Sequence, residues 1–198
     1  MGNRKTPFIL GNFYHCYSRG IDKCLTFLDD ADYRRFVENM HIDNRTTKVP
    51  LATRRNLLSK DVWELPNKYK LVKIVAYCLM PNHFHLALEE ITENGISIFM
   101  QRLTTSYTMY FKTKYARSGG LFTRPFRAKM IDTEWYLHDV INYIHLNPLE
   151  LIGTEMRDKD KLNKNAPTVR LENYAFSSLP DYTGQTRPER VLLAEALP

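Results

Sequence analysis

The spacing of apolar residues changes period several times along the chain, and each change marks an element. Residues 12–20 (NFYHCYSRG) are rich in aromatics and predict a strand that stops at Gly20. Asp29-Asp30 offers an N-cap, after which Tyr33, Phe36, Val37 and Met40 keep helical spacing. Residues 44–69 lose that pattern. They are polar and basic, carry Pro50, Pro66 and the Arg54-Arg55 pair, and predict a long loop or inserted arm. Residues 71–79 form a strongly apolar strand. Met80-Pro81-Asn82 then turns the chain into a second strand over residues 83–88, giving an antiparallel hairpin in which Pro81 and Asn82 are read only as turn residues. Ile96, Phe99, Met100, Leu103, Tyr107, Tyr110 and Phe111 recur at i, i+3, i+4 over four turns, with Gly119-Gly120 as the expected stop. A further strand over residues 126–131 leads to Thr133, which caps a helix over residues 134–146 that Asn147-Pro148 breaks. The resulting order, β-α-β-β-α-β-α, predicts an α+β domain with a ferredoxin-like antiparallel sheet and helices on one face. That domain is expected over residues 1–163, with a C-terminal extension over 164–198 packing on it or extending from it.

Within the hairpin, His83-Phe84-His85 carries the candidate chemistry. Residues i and i+2 of a strand point to one face, roughly 7 Å apart along it. Two imidazoles can therefore converge on one metal ion while Phe84 and Leu86 face a core. On the last helix, at about 100° per residue, Asn147 lies about 40° from Tyr143, and Tyr136 about 20° from it. Leu137, Ile141 and Ile144 form the buried stripe, and His145 falls about 200° away. If this helix supplies a third ligand beside the tyrosine, spacing favours Asn147 over His145.

Composition narrows the classes. The 198 residues carry a net charge of +6 and a pI near 9.2. Residues 101–130 hold Arg102, Lys112, Lys114, Arg117, Arg124, Arg127 and Lys129 with no Asp or Glu. Tyrosines and phenylalanines interleave them, as on a nucleic-acid surface. No run of 18 apolar residues predicts a membrane span, and no secretory signal is visible at the N-terminus. Three cysteines without a CxxC pair fit a reducing cytoplasm and argue against a cysteine-rich zinc site. Three functions remain open on these residues: a DNA-cutting enzyme, a non-catalytic nucleic-acid-binding module, and a small metal hydrolase. The hydrolase would need a third ligand, for which Glu89 and Glu90 are the local candidates.

The motifs taken together resemble a known family. Leu79-Met80-Pro81-Asn82 introducing His83-Phe84-His85, then a long helix, then Tyr143-Ile144-x-x-Asn147-Pro148, is similar to the single-tyrosine HUH transposases of the IS200-like family, specifically the REP-associated tyrosine transposases. Residues 13–20 resemble the family's opening strand, residues 124–127 its basic stretch, and residues 174–178 and 181–184 its C-terminal signature. The resemblance implies that Tyr143 is the nucleophile, leaving a 5′-phosphotyrosine and a free 3′-OH. It implies that His83, His85 and Asn147 bind Mg²⁺ or Mn²⁺, and that the substrate is single-stranded or hairpin DNA of REP-like repeats. It also implies a monomer or a homodimer. The insert at residues 44–69 and Leu121-Phe122-Thr123 depart from the family's pattern.

Overall fold

The computed structural model describes residues 7–57, 59–66, 68–151 and 171–194. Four antiparallel strands form one sheet: β1 (Phe13–Arg19), β2 (Val72–Met80), β3 (His83–Glu90) and β4 (Arg127–Ile131), in the order β2-β3-β1-β4. Between β1 and β2 lie α1 (Asp30–Asp43), α2 (Leu51–Asn56) and α3 (Ser59–Val62). Helix α4 (Gly95–Tyr115) links β3 to β4, and α5 (Glu134–Leu146) follows β4. This is the ferredoxin-like α+β plan.

Alternation in the strands divides the core in two. Tyr14, Cys16, Ile74, Tyr77, Leu79, Phe84, Leu86 and Leu88 face α1 and α4, where Phe36, Met40, Phe99, Leu103 and Tyr107 pack against them. On the other face, Val75, Cys78, Met80, Ala87 and Ile131 meet Leu137, Val140, Ile141 and Ile144 of α5. The expectation of helices on one face therefore holds for α1 and α4, while α5 covers the opposite face. The two apolar sides of β2 explain this, since an apolar strand buried on both faces needs a layer on each.

Local chemistry sets the helix ends. Asp29 accepts a hydrogen bond from Asp32 N at 3.0 Å, and Thr133 from Tyr136 N at 3.1 Å. Glu90 Oε2 accepts from Ile96 N at 2.7 Å at the start of α4. Helix α4 ends at Tyr115 with Ala116 in the left-handed conformation, ahead of the glycine pair expected to stop it. The insert contains two short helices rather than loop alone. Asn44 clamps its base: Oδ1 accepts from Leu71 N and Val72 N, both at 3.0 Å, and Nδ2 donates to Val72 O at 2.9 Å. The sheet thus enters β2 in register whatever the arm between does.

Residues 171–194 lie along the outer edge of β2. Leu79 N donates to Phe176 O at 2.9 Å, Ser178 N to Tyr77 O at 2.9 Å, and Ala194 N to Ile74 O at 3.0 Å. Arg187 is held in this segment by Asp181 and donates to Ala175 O at 2.8 Å and Tyr77 Oη at 3.0 Å. The expected boundary at residues 163 and 164 lies outside the described residues. Among the described residues, no helix is long and apolar enough to cross a membrane.

Candidate active site

Register places the site on the α5 face. Strand β1 is central, and its partners across β3 are His15 with Ala87, Tyr17 with His85 and Arg19 with His83. Directly opposed residues share a face. His15, Tyr17 and Arg19 therefore stand with His83 and His85 on the side that α5 partly covers. The two histidines of β3 have ring centroids 5.0 Å apart. From α5, the Tyr143 ring reaches to 5.5 Å from His85 and 5.8 Å from His15. Tyr143 is about half exposed, whereas His85 and Asn147 are buried.

The hydrogen bonds orient the imidazoles. Asn82 Nδ2 donates to Lys23 O at 3.4 Å, which turns its Oδ1 to His83 Nδ1 at 2.7 Å. A carbonyl oxygen only accepts, so His83 carries its proton on Nδ1 and presents a lone pair at Nε2. Asn82 is thus more than the turn residue expected of it, because its side chain fixes a tautomer. His85 Nδ1 lies 2.9 Å from His15 Nε2. When His15 accepts there, His85 also presents Nε2. Asn147 keeps helical backbone angles (φ −50°, ψ −39°) although Pro148 follows, and its Nδ2 donates to Tyr143 O at 2.7 Å. Its Oδ1 is buried without a hydrogen-bond partner. The amide stands beside both His83 and Tyr143, where it offsets part of the effect of burial on each.

Electrostatics keep the histidines neutral at pH 7. Burial, then the neighbouring His15 and His83, push His85 down to about 3. Burial, then Lys129, push His15 down to about 4. Burial and Arg19 lower His83. Burial and Glu150 raise Tyr143 above the ordinary tyrosine value, so its phenol is protonated at neutral pH. Among the described residues, no group of three or more His, Cys, Asp or Glu is arranged to hold a metal ion. A cation here would take its third protein donor from another residue type, and the unpartnered Asn147 Oδ1 is one. Glu89 shares the histidine face but pairs with Lys73 at 3.0 Å, and Glu90 caps α4 from the opposite face, so neither supplies a hydrolase ligand.

Beside these groups, between β1, β4 and α5, lies a cleft of about 410 Å³. His15, Tyr17 and His85 form one side. Lys129 of β4 and Tyr136, Asp139, Val140 and Tyr143 of α5 form the other. The Lys129 ammonium sits 4.8 Å from the centre of the Tyr136 ring.

The basic residues of positions 101–130 do not gather on one surface. Arg127 and Lys129 oppose Tyr17 and His15 across β1, on the site's own face, and both are exposed; Arg124 is exposed just before β4. Arg102, Lys112 and Lys114 ride on α4, on the far side of the sheet, and Arg117 follows its end. Arg102 donates to Arg45 O, and Lys114 pairs with Asp29 and Asp32 at 2.7 Å each. A stretch free of acids in sequence is therefore not free of them in space. Tyr107, Tyr110 and Tyr115 are also on the α4 side, bonded to Thr26 O or Asp32. His145 points away from Tyr143 and meets Ser178 Oγ at 2.8 Å. Sequence reasoning missed His15, Tyr17 and Arg19. Their i, i+2, i+4 spacing was available as a signal, but it acquires meaning only once β1 lies beside β3.

A family model described as transposase IS200 like matches residues 33–147, more than half of the chain. Among solved structures, that of a REP-associated tyrosine transposase bound to a REP hairpin matches with a TM-score of 0.57 at 12% identity. The match covers 100% of this chain and 94% of that one. At that identity the likeness shows the fold alone. No curated protein matches the sequence.

Proposed function

The chain belongs to the IS200-like transposase family, and within it we propose a DNA endonuclease and strand transferase that cuts single-stranded or hairpin DNA through a 5′-phosphotyrosine at Tyr143. The observation that carries this reading is the half-exposed Tyr143 set 5.5 Å from His85 at the edge of a cleft, with His83 5.0 Å beyond on the same strand face. The transposase of the matched structure is described as bound to a REP hairpin, which favours a hairpin foot or its unpaired flank as the substrate here.

The Tyr143 oxygen attacks the phosphorus of the scissile phosphodiester, and the bond to the 3′ oxygen breaks. The phenolic proton is lost, and the 3′ oxygen leaves as a hydroxyl. Attack of a 3′-OH on the phosphotyrosine reverses the step, restores the phenol and joins the strand without ATP. Helix α5 holds Tyr143 toward the histidines by its packing through Leu137, Ile141 and Ile144, so little orientation remains to be lost on reaction. Arg127 and Lys129 draw the phosphate chain to the cleft. His83, His85 and Asn147 would hold Mg²⁺ or Mn²⁺. Two imidazole nitrogens turned by hydrogen bonds and a buried amide oxygen without a partner fit a borderline divalent ion. When bound, the ion supplies Lewis-acid polarisation of the phosphate and offsets charge on the leaving oxygen. Asn82 and His15 keep the ligand tautomers.

The test is adduct formation with a single-stranded hairpin oligonucleotide and Mn²⁺, read as a shifted band on a denaturing gel. The parent protein is expected to form the adduct on the 5′ side of the break. Tyr143→Phe should fold and bind DNA but form none. An adduct persisting in Tyr143→Phe would refute the assignment.

A further inference from the structure

We infer that the cleft beside Tyr143 is a nucleobase pocket, and that it selects guanine in the nucleotide adjoining the cut. The inference rests on the reading above, since it needs the strand to cross Tyr143.

Asp139 is the observation that calls for a ligand. It stands exposed in the cleft wall with no hydrogen-bond or ion-pair partner among the described residues. Lys129 lines the same cleft, Arg127 stands on the same sheet face, and both suit a polyanion. A carboxylate among them repels phosphate and weakens binding unless it meets a hydrogen-bond donor. Phosphates and sugar ether oxygens offer none; base edges do. The rest of the lining fits a base. Tyr17 from β1 and Tyr136 from α5, both half-buried, add two aromatic rings to the cleft lining. Stacking on such rings is worth about 1–3 kcal/mol per base and tolerates any base. Lys129, held over the Tyr136 ring, adds a donor to the same lining as the Asp139 acceptor. The volume of about 410 Å³ is of the size that holds a small ligand.

Helix geometry says which nucleotide is read. Asp139 is one turn before Tyr143 on the same flank of α5, about 6 Å along the axis. A base held there belongs to the residue next to the attacked phosphate. Edge chemistry says which base. A carboxylate can accept two parallel N–H bonds, and guanine alone offers adjacent donors, N1–H and the 2-amino group, beside an acceptor, O6, for lysine. Adenine and cytosine bring one amino group, and thymine one imino group. A base out of the stack is read on this Watson–Crick edge.

The test uses Tyr143→Phe, which leaves binding uncoupled from cleavage, with the single-stranded hairpin oligonucleotide of the adduct assay carrying guanine, inosine, adenine, cytosine or thymine beside the break mapped with the parent protein. Fluorescence anisotropy is expected to rank guanine first. Inosine, which lacks only the 2-amino group, should bind between about 5-fold and 100-fold more weakly. Adding Asp139→Asn should erase the guanine-to-inosine ratio, while adding Tyr136→Ala should weaken all five to a similar degree. Equal binding of guanine and inosine, or an unchanged ratio in the Asp139→Asn protein, overturns the pocket. The parent protein is assayed alongside for the covalent adduct. If no adduct forms while the ratios behave as stated, the transferase reading fails, and with it the assignment to the nucleotide at the cut, and the cleft stands only as a guanine-binding site. If the adduct forms with no base preference, the pocket fails and the transferase stands.

Discussion

Replacing His15 with leucine should weaken metal binding at the site proposed for His83, His85 and Asn147, of which His15 is not a ligand. The side chain is buried and similar in volume to leucine, so the fold loses little packing. What it loses is the 2.9 Å contact between His15 Nε2 and His85 Nδ1. For His85 to offer Nε2 to a cation, Nδ1 must carry the proton, and that N–H needs an acceptor in an enclosed space. Without one, the protonated Nδ1 is a buried orphan, an arrangement that costs about 1–3 kcal/mol. Loss of such an outer partner lowers metal affinity by about 10- to 100-fold, or roughly 1.4 to 2.7 kcal/mol, so the two estimates agree. Titration of Mn²⁺ followed by electron paramagnetic resonance reads the affinity without any turnover. His15→Gln, whose amide oxygen can accept from His85, should recover part of the loss. Nitrogen chemical shifts should show His85 as the Nδ1–H tautomer in the parent and mixed in His15→Leu. If His15→Leu binds Mn²⁺ as the parent does, the positioning role is refuted. If both variants lose affinity equally, the effect is packing and not the hydrogen bond.

Three further outcomes follow from the same structure. His15, His41, His85 and His145 are held neutral by burial, three of them down to about 4 and His85 to about 3. The unfolded chain therefore takes up protons first. Stability in a chelator should be intact above about pH 6.5 and fall progressively as pH drops through 4, as denaturant midpoints would show; a flat profile over that range refutes it. Arg187→Ala leaves Asp181 buried without its partner and should lower stability by about 3–5 kcal/mol in urea unfolding; a change under 1 kcal/mol would show the pair to be dispensable. Arg127→Ala and Lys129→Ala should each reduce the slope of log affinity for single-stranded DNA against log salt by about 0.7. Lys114→Ala, paired with Asp29 and Asp32, should leave that slope unchanged, and an equal effect of all three would contradict the division of the basic set.

Periodicity was enough to place the strands, the three long helices and the order that makes the sheet, because each element buries a stripe that its own spacing reveals. The same logic put His83 with His85 on one strand face and Tyr143 with Asn147 on one helix flank. It failed where meaning depends on pairing between distant segments. His15 is a strand residue like any other until β1 lies beside β3, and Asn82 is a turn residue until Lys23 O holds its amide. Lys114 reads as a free cation in a window without acids, yet its partners lie more than eighty residues earlier in the chain. The side of the sheet taken by α5 is also tertiary, since an apolar β2 is compatible with a helix on either face until α1 and α4 have occupied one.

The segment over residues 171–194 gives the molecule an order of assembly in time. Every residue proposed for the reaction lies at or before Asn147, so a chain emerging from the ribosome owns the full set of groups before the strap along β2 exists. Until then the outer edge of β2 lacks the hydrogen bonds from Phe176, Ser178 and Ala194, and α5 lacks the anchor between His145 and Ser178. Synthesis at about 5–20 residues per second leaves seconds between the two. A nascent or truncated chain therefore carries Tyr143 on an α5 already seated through Leu137, Ile141 and Ile144, but without the His145–Ser178 contact and the covered β2 edge that complete its frame.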